Sequence, residues 1–442
     1  MKLNPFSSIT TQTIAAARAK EQTPFYLYDE SLIAQKCAAA LAMPNAFGLR
    51  VRYAMKANSS RQLLKIINAA GLYIDASSFN EAKRACMAGI APSKIQLTSQ
   101  EVPFGEERTE LEALMLQGLR YNVCSLRQLE LVGDFAAANS IDLSMRVHPG
   151  VGTGESSSRN TGDKYCCFGV HKSNIPAALD YAGKRGIKFT QVHTHIGSGG
   201  DPEIWRQNID IVLAFVDEFF PDADTVNFGG GLKEGRLPHE IKADIELLGN
   251  YSKEQITAFY ERTGRKLCAE IEPGTFILAN AGYIVTQVLD AKSTGRDGFD
   301  FVILDGGMEV NARPLLYGSA HPFYVVSPNG ELKWSDFPPQ EESLAQDEQR
   351  LNSLALVVAG RCCESGDCQT LEEGGGINTR EMTAPKIGDS FIIGGAGAYC
   401  AAMTPFNYNS HTQAAEWLYT IEGGLRCIRK AQTLAQIVEN EC

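Results

Sequence analysis

Residues 52–77 read RYAMKANSSRQLLKIINAAGLYIDAS, and this stretch decides the fold. Its first six and last six residues are short apolar runs of the kind that form buried strands. Between these runs, Leu63, Leu64 and Ile67 fall on one face of a helix, and Gly71 can end that helix. The stretch therefore predicts a strand, a helix and a second strand, which is the unit from which parallel sheets are built.

Similar strand-like runs recur along the first two thirds of the chain, and helical patterns separate most of them. Strands that alternate with helices pair in parallel, and eight such strands can close into a barrel. We therefore predict an α/β fold with a (β/α)8 TIM-type barrel. The eight predicted strands are residues 52–57, 72–77, 95–99, 121–125, 143–148, 189–196, 225–228 and 267–271.

The character of the sequence changes after about residue 285. The runs FDFVILDGG, FYVVS, LALVVAG, DSFIIGG and LYTIEGG are β-like and are separated by Gly, Pro and Asp residues. They predict a mainly β C-terminal domain, to which the early strand FYLYD at 25–29 can belong. The predicted domains are a barrel over 30–284 and a β-rich domain over 1–29 and 285–442.

The composition limits the class of partner. The chain has 442 residues and a formal net charge of −11, which argues against nucleic acid or an anionic membrane as main partner. No apolar run approaches the roughly 20 residues that span a bilayer, and residues 1–20 lack the apolar stretch of a signal peptide. The twelve cysteines show no disulfide framework. We therefore expect reduced thiols and a cytoplasmic location.

Chemically active residues follow the predicted barrel strands. Catalytic groups of such barrels lie at the C-terminal ends of the strands, and here these ends carry Lys56, Asp75, His195, residues 229–231 (GGG) and Glu272. Lys56 either extends its ammonium to solvent or is an amine poised to form a Schiff base. The glycine run is either a plain turn or a phosphate site made of backbone amides. A carboxylate such as Glu272 can keep a pyridine nitrogen protonated.

The histidines and cysteines do not indicate a metal site. His193 and His195 share one face of a strand, but the barrel has no companion ligand cluster at the usual spacing. Cys362, Cys363 and Cys368 lack both a CxxC pair and a companion histidine. We therefore predict that no metal is bound.

The order of several motifs along the chain resembles a known family. The motifs are YAMKAN (53–58), HTHIGSG (193–199), NFGGG (227–231), EPG (272–274), ARPLLYGSAHP (312–322), CCESGD (362–367) and GAGAY (395–399). In this order they resemble the fold-type III pyridoxal 5′-phosphate (PLP) decarboxylases, the alanine-racemase-like barrel group, and among them the diaminopimelate decarboxylases. The resemblance implies a PLP-dependent carboxy-lyase that converts meso-diaminopimelate to L-lysine and CO2. It also implies a homodimer with shared active sites.

The resemblance assigns a role to each residue that matches a motif. It implies that Lys56 forms the Schiff base with the cofactor and that Cys363, inserted across the dimer interface, returns a proton to the substrate Cα. The implied cofactor-binding residues are Lys56, Asp75, His195, Ser198, Gly229, Gly230, Gly231, Glu272, Gly274, Thr275 and Tyr399. The implied substrate-binding residues are Arg313, Tyr317, Glu364 and Tyr399.

Two positions depart from the pattern of the family: Cys167, in CCFG, replaces a usual serine, and the residue after EPG is changed. Thr275 stands where these enzymes usually carry an arginine that helps to bind the distal carboxylate of the substrate, a contact of roughly 1.5–3 kcal/mol. Either Arg313 serves alone, or the substrate is another basic or carrier-linked amino acid.

Three other activities are weighed against a decarboxylase. An amino-acid racemase of this fold is disfavoured because such enzymes usually place an arginine, not a residue like Glu272, at the pyridine nitrogen. A non-catalytic PLP-binding protein is disfavoured by the β-rich domain and the CESGD segment. A metal-dependent barrel hydrolase predicts a colourless protein, whereas bound PLP absorbs visible light.

Overall fold

The computed structural model describes residues 1–153, 161–199, 201–337 and 353–442. The chain forms two compact units. The barrel unit comprises Lys36–Glu234 and Ile241–Ile277, and the sheet unit comprises Met1–Gln35, Gly235–Glu240 and Leu278–Cys442. The domain limits inferred from the sequence assign a function to each domain as well as a range of residues, and they stay a prediction.

In the described residues, strands β2 to β9 form a closed barrel in which every neighbouring pair is parallel. The predicted eight-stranded barrel is therefore confirmed. The strands are β1 (Phe25–Asp29), β2 (Leu49–Ala54), β3 (Tyr73–Ala76), β4 (Ile95–Leu97), β5 (Arg120–Val123), β6 (Leu143–Arg146), β7 (Phe189–His193), β8 (Thr225–Asn227), β9 (Cys268–Ile271), β10 (Gly282–Ser293), β11 (Asp300–Leu304), β12 (Phe323–Val326), β13 (Leu332–Ser335), β14 (Ser353–Ala359), β15 (Arg380–Thr383), β16 (Ser390–Ile393), β17 (Ala415–Tyr419) and β18 (Leu425–Arg429).

Helices connect most of the barrel strands, as the sequence pattern predicts. In α3 the predicted apolar face is buried, and Gly71 follows the helix with a left-handed φ of 106°. None of the helices in the described residues combines the length and hydropathy that crossing a bilayer requires. The helices are α1 (Thr11–Arg18), α2 (Glu30–Leu41), α3 (Arg61–Ala69), α4 (Phe79–Met87), α5 (Glu106–Leu116), α6 (Leu126–Ala138), α7 (Ile175–Gly183), α8 (Pro202–Phe219), α9 (Ile245–Thr263), α10 (Thr275–Leu278), α11 (Arg313–Tyr317) and α12 (Leu434–Ile437).

Two strands that bear candidate site residues end earlier in the chain than predicted. The pairing of β2 with β3 stops at Ala54, and Lys56 lies in a 3₁₀ turn that follows. Likewise β7 ends at His193, so His195 lies two residues beyond the strand. Both side chains therefore belong to loops at the C-terminal end of the barrel, where the backbone is free of the sheet register.

The sheet unit contains the early strand. Among the described residues its main sheet has the order β13-β12-β16-β10-β1-β17-β18, and β11, β14 and β15 extend it from β10. Strand β1, which is the FYLYD run, pairs antiparallel with β10 and parallel with β17. The core of this sheet packs apolar side chains such as Phe25, Leu27 and Val285.

Candidate active site

The interior of the barrel is lined by polar side chains rather than by the branched apolar residues usual in such barrels. Each of the eight strands contributes at least one, and all are buried. Hydrogen bonds link them to one another, to Thr98 and to Glu272, as is general for buried polar groups. These residues are Arg52, Asp75, Gln96, Asn122, Ser144, Gln191, His193, Asn227 and Glu270.

Glu272 is the carboxylate on which this network converges. It follows β9 directly and is buried. Its Oε1 accepts hydrogen bonds from Gln96 Nε2 at 3.0 Å and from Asn227 Nδ2 at 2.7 Å. Its Oε2 lies 3.1 Å from His193 Nε2. A carboxylate offers about four acceptor positions, so these three partners leave one position for a further donor.

The surroundings of Glu272 decide its charge. Burial by itself would raise its pKa, but the charge and hydrogen bond of His193, together with His195 and Lys56, lower the pKa to about 2. Asp75 behaves in the opposite way. Its burial and the negative charge of Glu272 raise the pKa of Asp75 well above its ordinary value. Of two neighbouring buried carboxyl groups, Glu272 therefore keeps its charge and Asp75 takes up a proton first.

The His195 imidazole is neutral. Burial, the charge of Lys56 and the charge of Arg146 lower its pKa well below the ordinary value. Its Nδ1 accepts the backbone N–H of Gly197 at 2.9 Å and lies 3.1 Å from Thr161 Oγ1. An Nδ1 that accepts a hydrogen bond places the ring proton on Nε2, so the ring is fixed in one tautomer.

Lys56 lies at the same end of the barrel as these groups. It is half-buried in the turn after β2. Burial raises the pKa of Asp75 and of Glu81, and the positive charge of Lys56 opposes that rise in both; the same charge helps to lower the pKa of Glu272. All three carboxyl groups therefore lie within electrostatic reach of the amine. The structure thus brings together Lys56, Asp75, His195 and Glu272 as expected from the strand ends.

The glycine run after β8 is required by close backbone approach. A Cβ on Gly229 would lie 2.3 Å from the backbone oxygen of Thr194, and Gly229 has a left-handed φ of 70°. A Cβ on Gly230 would lie 3.0 Å from His195 Nε2. The amides of Gly230 and Gly231 donate to no acceptor within the described ranges of the chain. Glycine at these positions therefore leaves backbone N–H groups available beside the imidazole.

Other residues expected at the cofactor flank these groups. Gly274 and Thr275 follow Glu272, and Thr275 begins the short helix α10. Ser198 is exposed in the loop after His195. Between β6 and α7, residues 154–160 lie outside the described residues.

In the sheet unit, three of the expected substrate-binding residues cluster. The Arg313 guanidinium is buried and lies 5.8 Å from the ring centre of Tyr317 and 5.9 Å from that of Tyr399. Its Nη2 donates to Ser319 Oγ at 3.2 Å, while its Nε has no hydrogen-bond partner in the described residues. Tyr399 has a left-handed φ of 61°, a costly conformation for a non-glycine residue. The guanidinium keeps a donor unused.

Cys363 and Glu364 form a second group in the sheet unit, and both are exposed. The backbone N–H of Cys363 donates to Asn409 Oδ1 at 2.8 Å. Tyr408 donates to Glu364 Oε2 at 3.3 Å. The hydrogen bonds from Gly366, Ser365 and Tyr408 lower the pKa of Glu364, so it is an anion on the surface. The preceding Cys362 is buried against Glu309 instead.

A family model assigns the barrel. The model described as "Pyridoxal-dependent decarboxylase, pyridoxal binding domain" matches residues 30–279, more than half of the chain. The chain belongs to the pyridoxal-dependent decarboxylases. It is therefore an enzyme, and the resemblance inferred from its motifs is confirmed.

Relatives of this decarboxylase match it over nearly its whole length. The diaminopimelate decarboxylase of Escherichia coli K12 is 31% identical over 441 residues, covering 98% of this chain and 97% of the relative. That of Streptomyces coelicolor is 29% identical and covers 97% and 91%. A crystal structure of a diaminopimelate decarboxylase superposes with a TM-score of 0.86 at 30% identity, covering 100% and 99% of the two chains. The Helicobacter pylori enzyme complexed with L-lysine gives a TM-score of 0.76 at 27% identity, covering 96% and 98%.

Sequence reasoning missed part of the decarboxylase site. His193 was considered only as a metal ligand, whereas in the structure it holds Glu272. Gln96 and Asn227 were not singled out, although both contact the same carboxylate. The available signal was the polar residue that recurs at inward-facing positions of apolar strands. Glu81 interacts electrostatically with Lys56 and accepts the Ser77 N–H at 2.7 Å. It lies in a helix, so the alternation of a strand could not have indicated it.

Proposed function

We propose that this chain binds PLP and removes CO2 from the α-carbon of an amino acid. The proposal rests on one observation, the buried and ionised Glu272 with a single acceptor position left among its neighbours. A pyridinium N–H is a donor that fits this position, because its positive charge compensates the buried carboxylate. A neutral partner would add no opposite charge at this position, and an anionic partner would be repelled by the carboxylate.

The residues around Glu272 fit the rest of the cofactor. Lys56 supplies the amine that would hold the aldehyde carbon, and the neutral His195 ring would lie against the face of the pyridine. The free amides of Gly230 and Gly231 can donate to a phosphate. We propose that Gly229, Ser198, Gly274 and Thr275 complete this cradle.

The bound cofactor supplies an acceptor for the electron pair that the departing CO2 leaves at Cα. Glu272 makes that acceptor strong, since its negative charge keeps the ring nitrogen protonated. When the bond between Cα and the carboxyl carbon breaks, Cα needs one proton to become the amine product. Cys363 is the proposed donor of that proton, and Lys56 is the amine that would hold the cofactor aldehyde when no substrate is bound.

The exposure of Cys363 and Glu364 leads to a proposed homodimer. A proton donor must reach the reacting carbon in a site closed to water, and exposed side chains meet that condition only when another surface covers them. We propose that the pair enters the site of a second copy, where Glu364, an anion, would bind the distal ammonium of the substrate. Dilution that dissociates the dimer should then abolish turnover, and full activity of a proven monomer would contradict this part.

The proposed substrate is meso-diaminopimelate, with L-lysine as product, since the relatives are diaminopimelate decarboxylases and one is complexed with L-lysine. Thr275 favours a second candidate. A threonine hydroxyl cannot form the two parallel hydrogen bonds with which an arginine holds a carboxylate. If Arg313 does not replace that contact, the substrate is another basic or carrier-linked amino acid.

The substrate test is a panel of amino acids. The purified enzyme with PLP is incubated with meso-diaminopimelate, D- and L-lysine, ornithine and arginine, and released CO2 and the amine product are measured. Fast turnover of meso-diaminopimelate alone supports the first candidate. Fast turnover of another member with inert meso-diaminopimelate supports the second. Loss of optical rotation without gas release would indicate a racemase and overturn both.

A matched variant sharpens the result. Thr275→Arg restores the usual side chain, and we expect it to raise kcat/KM for meso-diaminopimelate by about tenfold or more if the distal carboxylate is weakly held, from the strength of a charge-assisted pair. Thr109→Arg, at an exposed position of α5 in the same unit, is the charge control and should leave kcat/KM unchanged.

A further inference from the structure

A chain of hydrogen bonds connects Glu272 to an arginine at the start of strand β5. Arg120 Nη1 donates to Gln191 Oε1 at 2.7 Å, Gln191 Nε2 donates to Gln96 Oε1 at 2.7 Å, and Gln96 Nε2 donates to Glu272 Oε1 at 3.0 Å. Both amides are fully buried. We call these three residues, Arg120, Gln191 and Gln96, the amide relay.

We propose that Arg120 fixes the direction of the two buried amides and thereby holds Glu272 in the ionised form that the ring nitrogen of the cofactor requires. The three relay residues are positioning residues, since they act through Glu272. The inference rests on the proposed function, because it gives Glu272 its role beside a pyridine ring.

The direction of the relay follows from what each group can do. A guanidinium has only N–H donors, so the atom of Gln191 that faces Arg120 must be its oxygen. The amide nitrogen of Gln191 then faces Gln96, whose facing atom must in turn be an oxygen. Gln96 is left to present its N–H to Glu272, which must accept. If Glu272 Oε1 were protonated, its O–H would face the N–H of Gln96, and two donors cannot form a hydrogen bond with each other.

Without Arg120 the same amides lose their preferred direction. A glutamine side chain can turn by 180° about its last bond and exchange oxygen for nitrogen at little steric cost. Two flipped amides would present the Gln96 oxygen to Glu272, and a carboxylic acid O–H would then be the favoured partner. One arginine therefore selects between two internally consistent networks that differ in the protonation of Glu272.

The selection matters because a second carboxyl group competes for the charge. Asp75 is buried beside Glu272, and each disfavours the ionisation of the other. Gln96 Nε2 lies 3.0 Å from Glu272 Oε1 but 3.5 Å from Asp75 Oδ1, so the relay favours charge on Glu272. His193 and Asn227 donate from the other sides.

The charged groups near both ends of the relay are known. His193, His195 and Lys56 are the titratable groups that act on Glu272. Arg50, Arg52 and Glu270 act on Arg120, together with Asp224. Arg120 begins its strand, whereas Glu272 follows the end of its own, so in a parallel barrel they lie at opposite mouths. A residue of the N-terminal mouth, usually assigned to stability alone, thus acts on the chemistry at the other mouth.

Four variants of Arg120, one variant of Gln96 and one control test the relay in the holoenzyme. Arg120→Met removes the donor, and Arg120→Gln replaces it by a group that can face either way. Arg120→Lys keeps a donor without acceptor capacity and should rescue the wild-type behaviour. Gln96→Met breaks the relay beside Glu272, and Arg120→Ala removes the whole side chain. The control is Arg265→Met, which removes an arginine of the same unit that precedes β9 and donates to backbone oxygens outside the relay.

The readout is the ¹⁵N chemical shift of PLP labelled at its ring nitrogen, followed against pH. Wild type, Arg120→Lys and Arg265→Met should keep the ring nitrogen protonated over the pH range in which the protein is folded. Arg120→Met, Arg120→Gln, Arg120→Ala and Gln96→Met should lose the ring proton at a pH lower by at least about one unit, a tenfold change in the protonation equilibrium. Their kcat should fall while KM changes little, since substrate contacts are untouched.

The possible results distinguish a failure of the amide relay from a failure of the proposed function. If Glu272→Gln alters the ring-nitrogen shift but neither Arg120→Met nor Gln96→Met does, the relay is overturned and the proposed function stands. If Arg120→Lys behaves like Arg120→Met, orientation by a donor-only group is overturned. Should Arg120→Met fail to fold, Gln96→Met carries the same test with no change of charge. A wild-type protein that binds no PLP would overturn the proposed function and the relay with it.

Discussion

The ion pair between Arg52 and Glu270 offers a sharp test of the barrel interior. Arg52 is 2% exposed and Glu270 is not exposed at all. Arg52 Nε and Nη2 donate to the two carboxylate oxygens at 2.8 and 3.1 Å, and Arg50 donates to the same carboxylate. Glu270→Gln keeps the shape of the side chain but leaves the buried Arg52 guanidinium without a counter-charge. Breaking a buried pair in this way costs about 3–5 kcal/mol of folding free energy.

A surface pair with the same spacing is the control. Lys172 Nζ and Glu218 Oε2 also lie 2.8 Å apart, but their side chains are 55% and 53% exposed. Lys172→Met should change the free energy of unfolding by less than about 0.5 kcal/mol, because solvent screens such pairs. The contrast between the two variants therefore isolates burial from distance.

The assay is equilibrium unfolding in urea, followed by circular dichroism and by tryptophan fluorescence to check for a single transition. The double variant Arg52→Leu/Glu270→Leu should recover most of the loss, since an apolar pair needs no counter-charge. Burial raises the pKa of Glu270, but the nearby arginines outweigh burial and lower it from 4.5. Its stabilisation is therefore present above pH 4.5 and lost in acid. A cost for Glu270→Gln no larger than that for Lys172→Met would refute the reasoning.

Gly230→Ala places a Cβ 3.0 Å from an imidazole nitrogen, and we expect about tenfold weaker PLP binding in a fluorescence titration. The control is Gly183→Ala, where a Cβ meets nothing within 4 Å, and this variant should bind PLP normally. Equal PLP affinities of the two variants would contradict the steric argument. Cys363→Ser should lower kcat by at least about tenfold with PLP absorption intact, whereas Cys442→Ser should match wild type; equal kcat values exclude the proton-donor role. Asp75→Asn should raise the midpoint temperature of thermal unfolding at pH 7. Burial and the nearby carboxylate raise the pKa of Asp75 above 3.8, so the contribution of Asp75 to stability exists at low pH and is lost as pH rises. An unchanged midpoint temperature would show that Asp75 and Glu272 do not compete for charge.

Most of the fold could be predicted because its signals are local. Apolar runs mark the strands, and the helical spacing of residues such as Leu63 and Ile67 marks what lies between them. The ends of β2 and β7 were placed too far along the chain, since a strand ends where its neighbour stops pairing, and the partner of Ala54 is not visible in the sequence. The same limit applies to β7, which stops at His193.

The sequence by itself determined which residues stand at the C-terminal ends of the barrel strands, and with them Lys56, His195 and Glu272, because order along a chain of alternating elements sets that position. Only the tertiary structure decided that Glu272 keeps its charge while the neighbouring Asp75 is the first of the two to be protonated. Ionisation of a buried group depends on the donors that surround it, and here these come from strands 45 to 176 residues away in the chain. No local pattern encodes which of them meet.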